Sequence, residues 1–301
     1  MSAPVVEPRE IPDRQRPVLV GGTGRSGSTI VGHLLDHHPD LTLTRPMEVR
    51  FITGNDGFAD ALAATLRAPG STKAMAAARL AVDRLQDRWF QRAEHVGLHE
   101  SMSRADVAAW SRDYLAEVPT HPLPATRTLV NRIMDRVADR LEAGRWVDTT
   151  PANARKADRV EPIYPESSVV VVTRDGRDVA ASFVSQRFGP DDVFEALAQW
   201  EQRMVRTSRA MAACRPGRVL SIQLMDLVVN DRPGTLARLC GFLGVPVDAG
   251  MVEWFDENVT ADGAHPGRWR RDFDPDTGAR IDEAYDAICG RLRAAGVAVP
   301  L

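Results

Sequence analysis

The stretch VLVGGTGRSGSTIVGHLLDHHP, residues 18–39, constrains the fold more than any other. Val18, Leu19 and Val20 make an apolar, mostly β-branched run that reads as a buried strand. Glycines and polar residues follow, and then an apolar helix pattern opens at Ile30 and Val31. Strand, glycine-rich loop and helix in that order can hold a phosphate. Backbone N–H groups at the loop and helix start point inward, the helix dipole favours an anion, and glycine lets the backbone come close. The spacing nearly spells the nucleotide-triphosphate loop G-x-x-x-x-G-K-[ST], with Gly22 and Gly27 as its glycines. Ser28 stands where that loop has its lysine. The cation is Arg25, inside the loop.

Further strand patterns lie at 41–44, 145–149, 167–173 and 218–224, besides 17–22. The unbroken run Val169 to Val172 implies a strand buried on both faces. Helix patterns separate the strands: Leu129, Ile133, Val137 and Leu141 repeat every four residues, and Ile281, Tyr285, Ile288 and Leu292 share a face. Strands alternating with helices imply a parallel sheet with right-handed crossovers. The expected class is α/β, three layers around a central parallel sheet with a P-loop-like phosphate loop. Residues 55 to 125 contain no good strand, and Pro and Gly break them near RAPGST and VPTHPLP. A helical insertion is expected over about 55–140, within one domain spanning 17–301. Residues 1–16, polar and rich in Pro, read as a disordered lead-in without a signal-peptide core.

The second informative stretch is VVVVTRDGRDVAASFVSQRF. Arg174 ends a buried strand, and Ser182 follows eight residues later in the next helix. Ligands of open α/β sheets bind outside the carboxyl ends of strands, so Arg174 is expected to face the same crevice as the first loop. The alternative is an arginine paired with Asp175 or Asp178.

The two stretches together resemble the sulfotransferases that use 3′-phosphoadenosine 5′-phosphosulfate (PAPS). GTGRSGST resembles their 5′-phosphosulfate loop, in the R-S-G-T-T form of bacterial and tyrosylprotein members. VTRDGRDVAAS resembles their 3′-phosphate motif. The resemblance implies that the backbone of Gly24, Arg25, Ser26, Gly27, Ser28 and Thr29 cradles the 5′-phosphosulfate, with hydroxyl contacts from Ser28 and Thr29. It implies that Arg25 meets the bridging oxygen and sulfuryl group, and that Arg174 and Ser182 hold the 3′-phosphate. HPGRWRRDF loosely matches a basic stretch that closes over the nucleotide, which adds Gly267, Arg268 and Trp269.

Sulfuryl transfer is an in-line displacement at sulfur, and negative charge grows on the departing bridging oxygen. A guanidinium is always charged and presents a planar fork of donors, so Arg25 suits an electrostatic clamp. The acceptor hydroxyl needs a base. TRPMEVRF offers Glu48, followed by Arg50, as in the E-x-R setting of tyrosylprotein sulfotransferases. The other reading of Glu48 is a loop carboxylate paired with Arg45 or Arg50. Cytosolic relatives use a histidine, for which His95, His99 and His121 are the stand-ins. Two positions depart from the family pattern. Thr149 stands near a lysine of the tyrosylprotein members, and Leu224 stands where an aromatic residue usually lies by the nucleotide.

A nucleotide kinase is disfavoured by the missing lysine. A non-catalytic nucleotide-binding module is disfavoured by the presence of both Arg25 and Glu48. No metal is implied, because Arg25 supplies the charge that Mg²⁺ supplies in kinases. A formal charge of −3 offers no global field for a nucleic acid polymer or an anionic membrane. No apolar run is long enough for a membrane span. Cys214, Cys240 and Cys289 form no framework, so a reducing cytoplasm is the expected location. The expected products are adenosine 3′,5′-bisphosphate and a sulfated acceptor. That acceptor is a carbohydrate, small natural product, lipid or peptide tyrosine, and the sequence is silent on oligomeric state.

Overall fold

A computed structural model describes residues 11–300. Five parallel strands form one sheet: β1 (Val18–Gly22), β2 (Leu41–Leu43), β3 (Arg145–Asp148), β4 (Ser168–Thr173) and β5 (Val219–Gln223), in the order β2-β3-β1-β4-β5. Each lies within a residue, at either end, of its expected span. Successive side chains of a strand point to opposite faces, and both faces here are covered. Leu19, Trp146, Val169 and Val171 enter one core with the helices that follow β2. Val18, Val20, Val147, Val170 and Val172 enter another with helices Ser28–Asp36, Arg232–Leu243 and Ala249–Asn258. That double burial makes the three layers, and it explains the unbroken apolar runs Val18–Val20 in β1 and Val169–Val172 in β4. A third core joins helices Gly176–Val184, Val193–Ala213 and Pro275–Ala294.

The long connection from β2 to β3 is helical: Phe58–Arg67, Thr72–Arg84, Arg104–Glu117 and Pro122–Arg140. Two of its three breaks fall at the expected Pro- and Gly-containing stretches, and the third, between Arg84 and Arg104, lies outside them. Trp89, Phe90 and Tyr114 are buried in its core. Of the lead-in expected over 1–16, residues 1–10 lie outside the described residues. Asp13–Gln15 is a 3₁₀ turn tied to the sheet, since Trp146 Nε1 donates to the Arg14 carbonyl (3.2 Å) and Arg145 Nε to that of Arg16 (2.7 Å). Among the described residues no helix is long and apolar enough to cross a membrane.

β1 pairs with β3 on one side and β4 on the other. The chain therefore reverses direction across the sheet at β1. Crevices at such a switch point open at the carboxyl ends of the strands. Gly22, Asp148 and Thr173 end the three strands there.

Candidate active site

The loop after β1 is bent by left-handed backbone at Gly24 (φ 82°), Arg25 (φ 56°) and Gly27 (φ 101°). Glycine is required twice for want of room. A Cβ on Gly22 would lie 2.3 Å from Ser26 Oγ, and one on Gly27 would lie 2.6 Å from Leu224 Cδ1. Ser26 is fully buried, and its hydroxyl has no hydrogen-bond partner among the described residues. It packs beneath the loop and is not part of the cavity lining, so its contribution to a ligand is confined to the backbone. Gly24, Arg25, Gly27, Ser28 and Thr29 line the cavity, and the N-terminus of helix Ser28–Asp36 begins there.

Arg174, at the end of β4, is buried. Its Nη2 donates to the carbonyls of Ala264 (2.7 Å) and His265 (3.0 Å), and lies 3.5 Å from Asp178 Oδ2. Its Nη1 reaches the Arg25 carbonyl at 3.4 Å, and its Nε is buried without a partner among the described residues. Burial lowers the Arg174 pKa, and Asp178 offsets the effect. Both sequence readings of Arg174 are thus present at once: it faces the crevice and it is paired. Arg25 Nε donates to Ser182 Oγ at 3.0 Å, across a separation of 157 residues. The phosphate loop and the β4 motif therefore meet through Arg25. Asp178 also accepts from the backbone N–H of Gly267 (3.0 Å), which holds the basic stretch over the site. Arg268 lines the cavity and pairs with Asp272 (2.7 Å). Trp269 is buried beneath, between Arg177 and Arg270.

Glu48 sits on the loop after β2 and lines the same cavity. Arg50, in left-handed backbone (φ 57°), donates its Nε to Glu48 Oε2 at 2.7 Å. The loop is anchored from below by Asp148, the last residue of β3. Asp148 Oδ1 accepts from Val49 N (3.0 Å) and Thr150 Oγ1 (3.0 Å), and its Oδ2 accepts from Asn153 Nδ2 (2.8 Å). Asn153 also donates to the Val20 carbonyl (3.2 Å) and accepts from Thr53 Oγ1 (2.6 Å). One buried polar network thus joins β1, β3 and the Glu48 loop. Burial pushes the Asp148 carboxyl up to about 6, against the pull of its hydrogen bonds. None of His95, His99 and His121 lines the cavity. His99 is held by the carbonyls of Phe90 (3.2 Å) and Glu94 (3.0 Å), His121 precedes helix Pro122–Arg140, and His95 is exposed. Thr149 is buried, with its hydroxyl on the Met47 carbonyl (3.0 Å).

The cavity has a volume of about 830 Å³. It brings together Arg25, Glu48, Arg174, Ser182 and Arg268, as the sequence reading expects. It also holds residues that reading missed, above all Arg155 and Arg203. Neither belongs to a contiguous motif: Arg203 lies inside a long helix and Arg155 in a short turn after β3.

A family model described as the sulfotransferase family matches residues 17–249. The chain belongs to the sulfotransferase family. Similar solved structures agree on the sulfotransferase fold. The sulfotransferase domain from the curacin biosynthetic pathway has a TM-score of 0.54 at 15% identity, covering 95% of this chain and 99% of that one. The sulfotransferase domain of the Synechococcus PCC 7002 olefin synthase gives 0.53 at 16% identity, covering 93% and 98%. A sulfotransferase from Mycobacterium avium gives 0.50 at 14%, covering 94% and 78%. No curated protein matches the chain.

Proposed function

We propose that this sulfotransferase moves a sulfuryl group from PAPS to a hydroxyl acceptor. The reading is carried by the junction at Arg25, whose side chain meets Ser182 and whose carbonyl meets Arg174. On this reading the cavity has two anion sites, where a nucleoside triphosphate needs one. The fit is chemical as well as spatial: the buried Nε of Arg174 has no partner among the described residues, and an uncompensated buried donor is costly unless a ligand satisfies it.

Bound PAPS supplies the sulfuryl group, its bridging S–O bond breaking as the acceptor oxygen bonds to sulfur, and adenosine 3′,5′-bisphosphate leaves. The loop N–H groups of Gly24 to Thr29 and the helix start hold the 5′ end. Arg174 and Ser182 hold the 3′-phosphate, and Arg268 closes over it. Arg25 sets a fixed positive charge where the bridging oxygen becomes negative, so no reorganisation is needed as charge develops. Glu48 takes the acceptor proton, and Arg50 orients its carboxylate. A base must lie within hydrogen-bond reach of the proton it removes; Glu48 is the carboxylate on the β2–β3 side of the cavity.

The test is transfer of ³⁵S from labelled PAPS to a panel of a phenol, a sugar, a hydroxy acid and a tyrosyl peptide. Label is expected in at least one acceptor, and Glu48→Gln is expected to slow it by roughly 10²–10⁴. Transfer of phosphate from labelled ATP instead, with PAPS inert, would overturn the reading.

A further inference from the structure

Seven arginines and two glutamates line the cavity. The nucleotide reading uses Arg25, Arg174 and Arg268, and Arg50 is paired with Glu48. Three are left over: Arg88, which is exposed, and Arg155 and Arg203, both half-buried. The last two are the ones held within the cavity wall. Neither has a carboxylate partner among the described residues. Arg155 Nη2 makes one long contact, to Asn55 Oδ1 at 3.4 Å. Its nearest acidic influence, Asp60, is already occupied by Lys156 (2.6 Å) and Arg159 (2.6 Å). Arg203 is fixed in place: Nη1 donates to the Thr23 carbonyl (2.6 Å), Nη2 to Gln199 Oε1 (3.2 Å), and the guanidinium lies 4.6 Å over the Phe183 ring.

The two sit on packed elements. The Ala152–Arg155 turn leads off the end of β3 and packs on helix Val193–Ala213, which carries Arg203. Burial and the neighbouring charges of Arg203 and Arg206 push the Arg155 guanidinium down to about 10. Like charges held half-buried without a counter-ion oppose folding. Fixed donors in that state suit an anion brought by a ligand. The Asn55 contact ties Arg155 to the loop that carries Glu48, whereas Arg174 and Arg268 lie towards the 264–268 segment. Phe188, largely exposed, and Pro190 give the cavity an apolar wall beside helix Val193–Ala213.

We propose that Arg155 and Arg203 form an acceptor subsite for an anionic group, so that the acceptor is a hydroxyl compound bearing a carboxylate, phosphate or sulfate. This rests on the sulfuryl-transfer reading above and names its substrate class.

The test is calorimetry on protein saturated with adenosine 3′,5′-bisphosphate, with phenyl phosphate as the anionic probe and phenol as its neutral counterpart. Phenyl phosphate is expected to bind at least tenfold more tightly than phenol. The double variant Arg155→Gln/Arg203→Gln is expected to lose that preference while binding the bisphosphate within about threefold of wild type, which also shows that it folds. Three results would overturn the proposal: no preference for the anion in wild type, a preference that persists in the double variant, or loss of bisphosphate binding in the variant. The last would assign both arginines to the nucleotide. Failure of the wild type to bind the bisphosphate would instead strike the sulfuryl-transfer reading. The anion arm is then read on the unloaded protein, where the same variant decides it.

Discussion

Arg25 carries a long side chain on left-handed backbone (φ 56°), a conformation that costs a non-glycine residue about 1–2 kcal/mol. Glycine at that position would relieve the strain. The strain places the guanidinium between the phosphate loop and Ser182, and strained residues of this kind persist where the surroundings hold them. Activity and stability are therefore expected to part company here. Arg25→Gly should be more stable than Arg25→Ala by about 1 kcal/mol, read from urea midpoints. Both should lose roughly 10²–10³ in turnover. Equal turnover by either variant and wild type would remove Arg25 from the transfer step. Arg25 itself was legible, because a cation inside a lysine-free phosphate loop is a local pattern. Its contact with Ser182 was not, because that depends on how β1 and β4 pair.

At the scale of elements, the end of β3 and the loop after β2 act as one unit through Asp148. Burial is the main cause of its raised carboxyl, from an ordinary 3.8 to about 6, and the charge of Glu48 adds to the rise. The folded state therefore holds this proton more tightly than the unfolded chain. The stability it contributes is full below pH of about 4 and is lost as pH rises to about 6. The shift corresponds to about 3 kcal/mol. Asp148→Asn removes the titration, so the difference in unfolding free energy between wild type and variant should change by about that amount between pH 4 and 6.5. A difference that stays constant over that range would contradict the assignment. Asp148 passed unnoticed in the sequence, since VDTTPAN reads locally as a strand end with turn residues. Only the fold brings it beneath Val49, 99 residues away. The strands themselves were legible nearly to the residue, because each carries apolar, often β-branched residues between stretches of turn chemistry. The helical connection was legible as helix, but not its partners, because helix periodicity tells which face is buried and not against what.

At the scale of the whole molecule, a chain of formal charge −3 encloses a cavity where arginines outnumber glutamates seven to two. Net charge describes the outer field, whereas the cavity field is set by which strand ends meet at the switch point beside β1. The sequence resemblance reached the two phosphate motifs because each is contiguous. It could not reach Arg155 and Arg203, which come from separate elements and form a pair only when the Ala152–Arg155 turn packs on helix Val193–Ala213. The central claim is that the cavity holds two anionic ends of one nucleotide, the second on Arg174. The direct measurement is calorimetry of adenosine 3′,5′-bisphosphate against AMP, on wild type and on Arg174→Gln. A contact to a charged group is worth about 1.5–3 kcal/mol, so wild type should prefer the bisphosphate by at least tenfold. Arg174→Gln should bind AMP as before and bring the two nucleotides within a few-fold of each other. Equal affinity for the two nucleotides in wild type, or a preference undiminished in Arg174→Gln, would contradict the account.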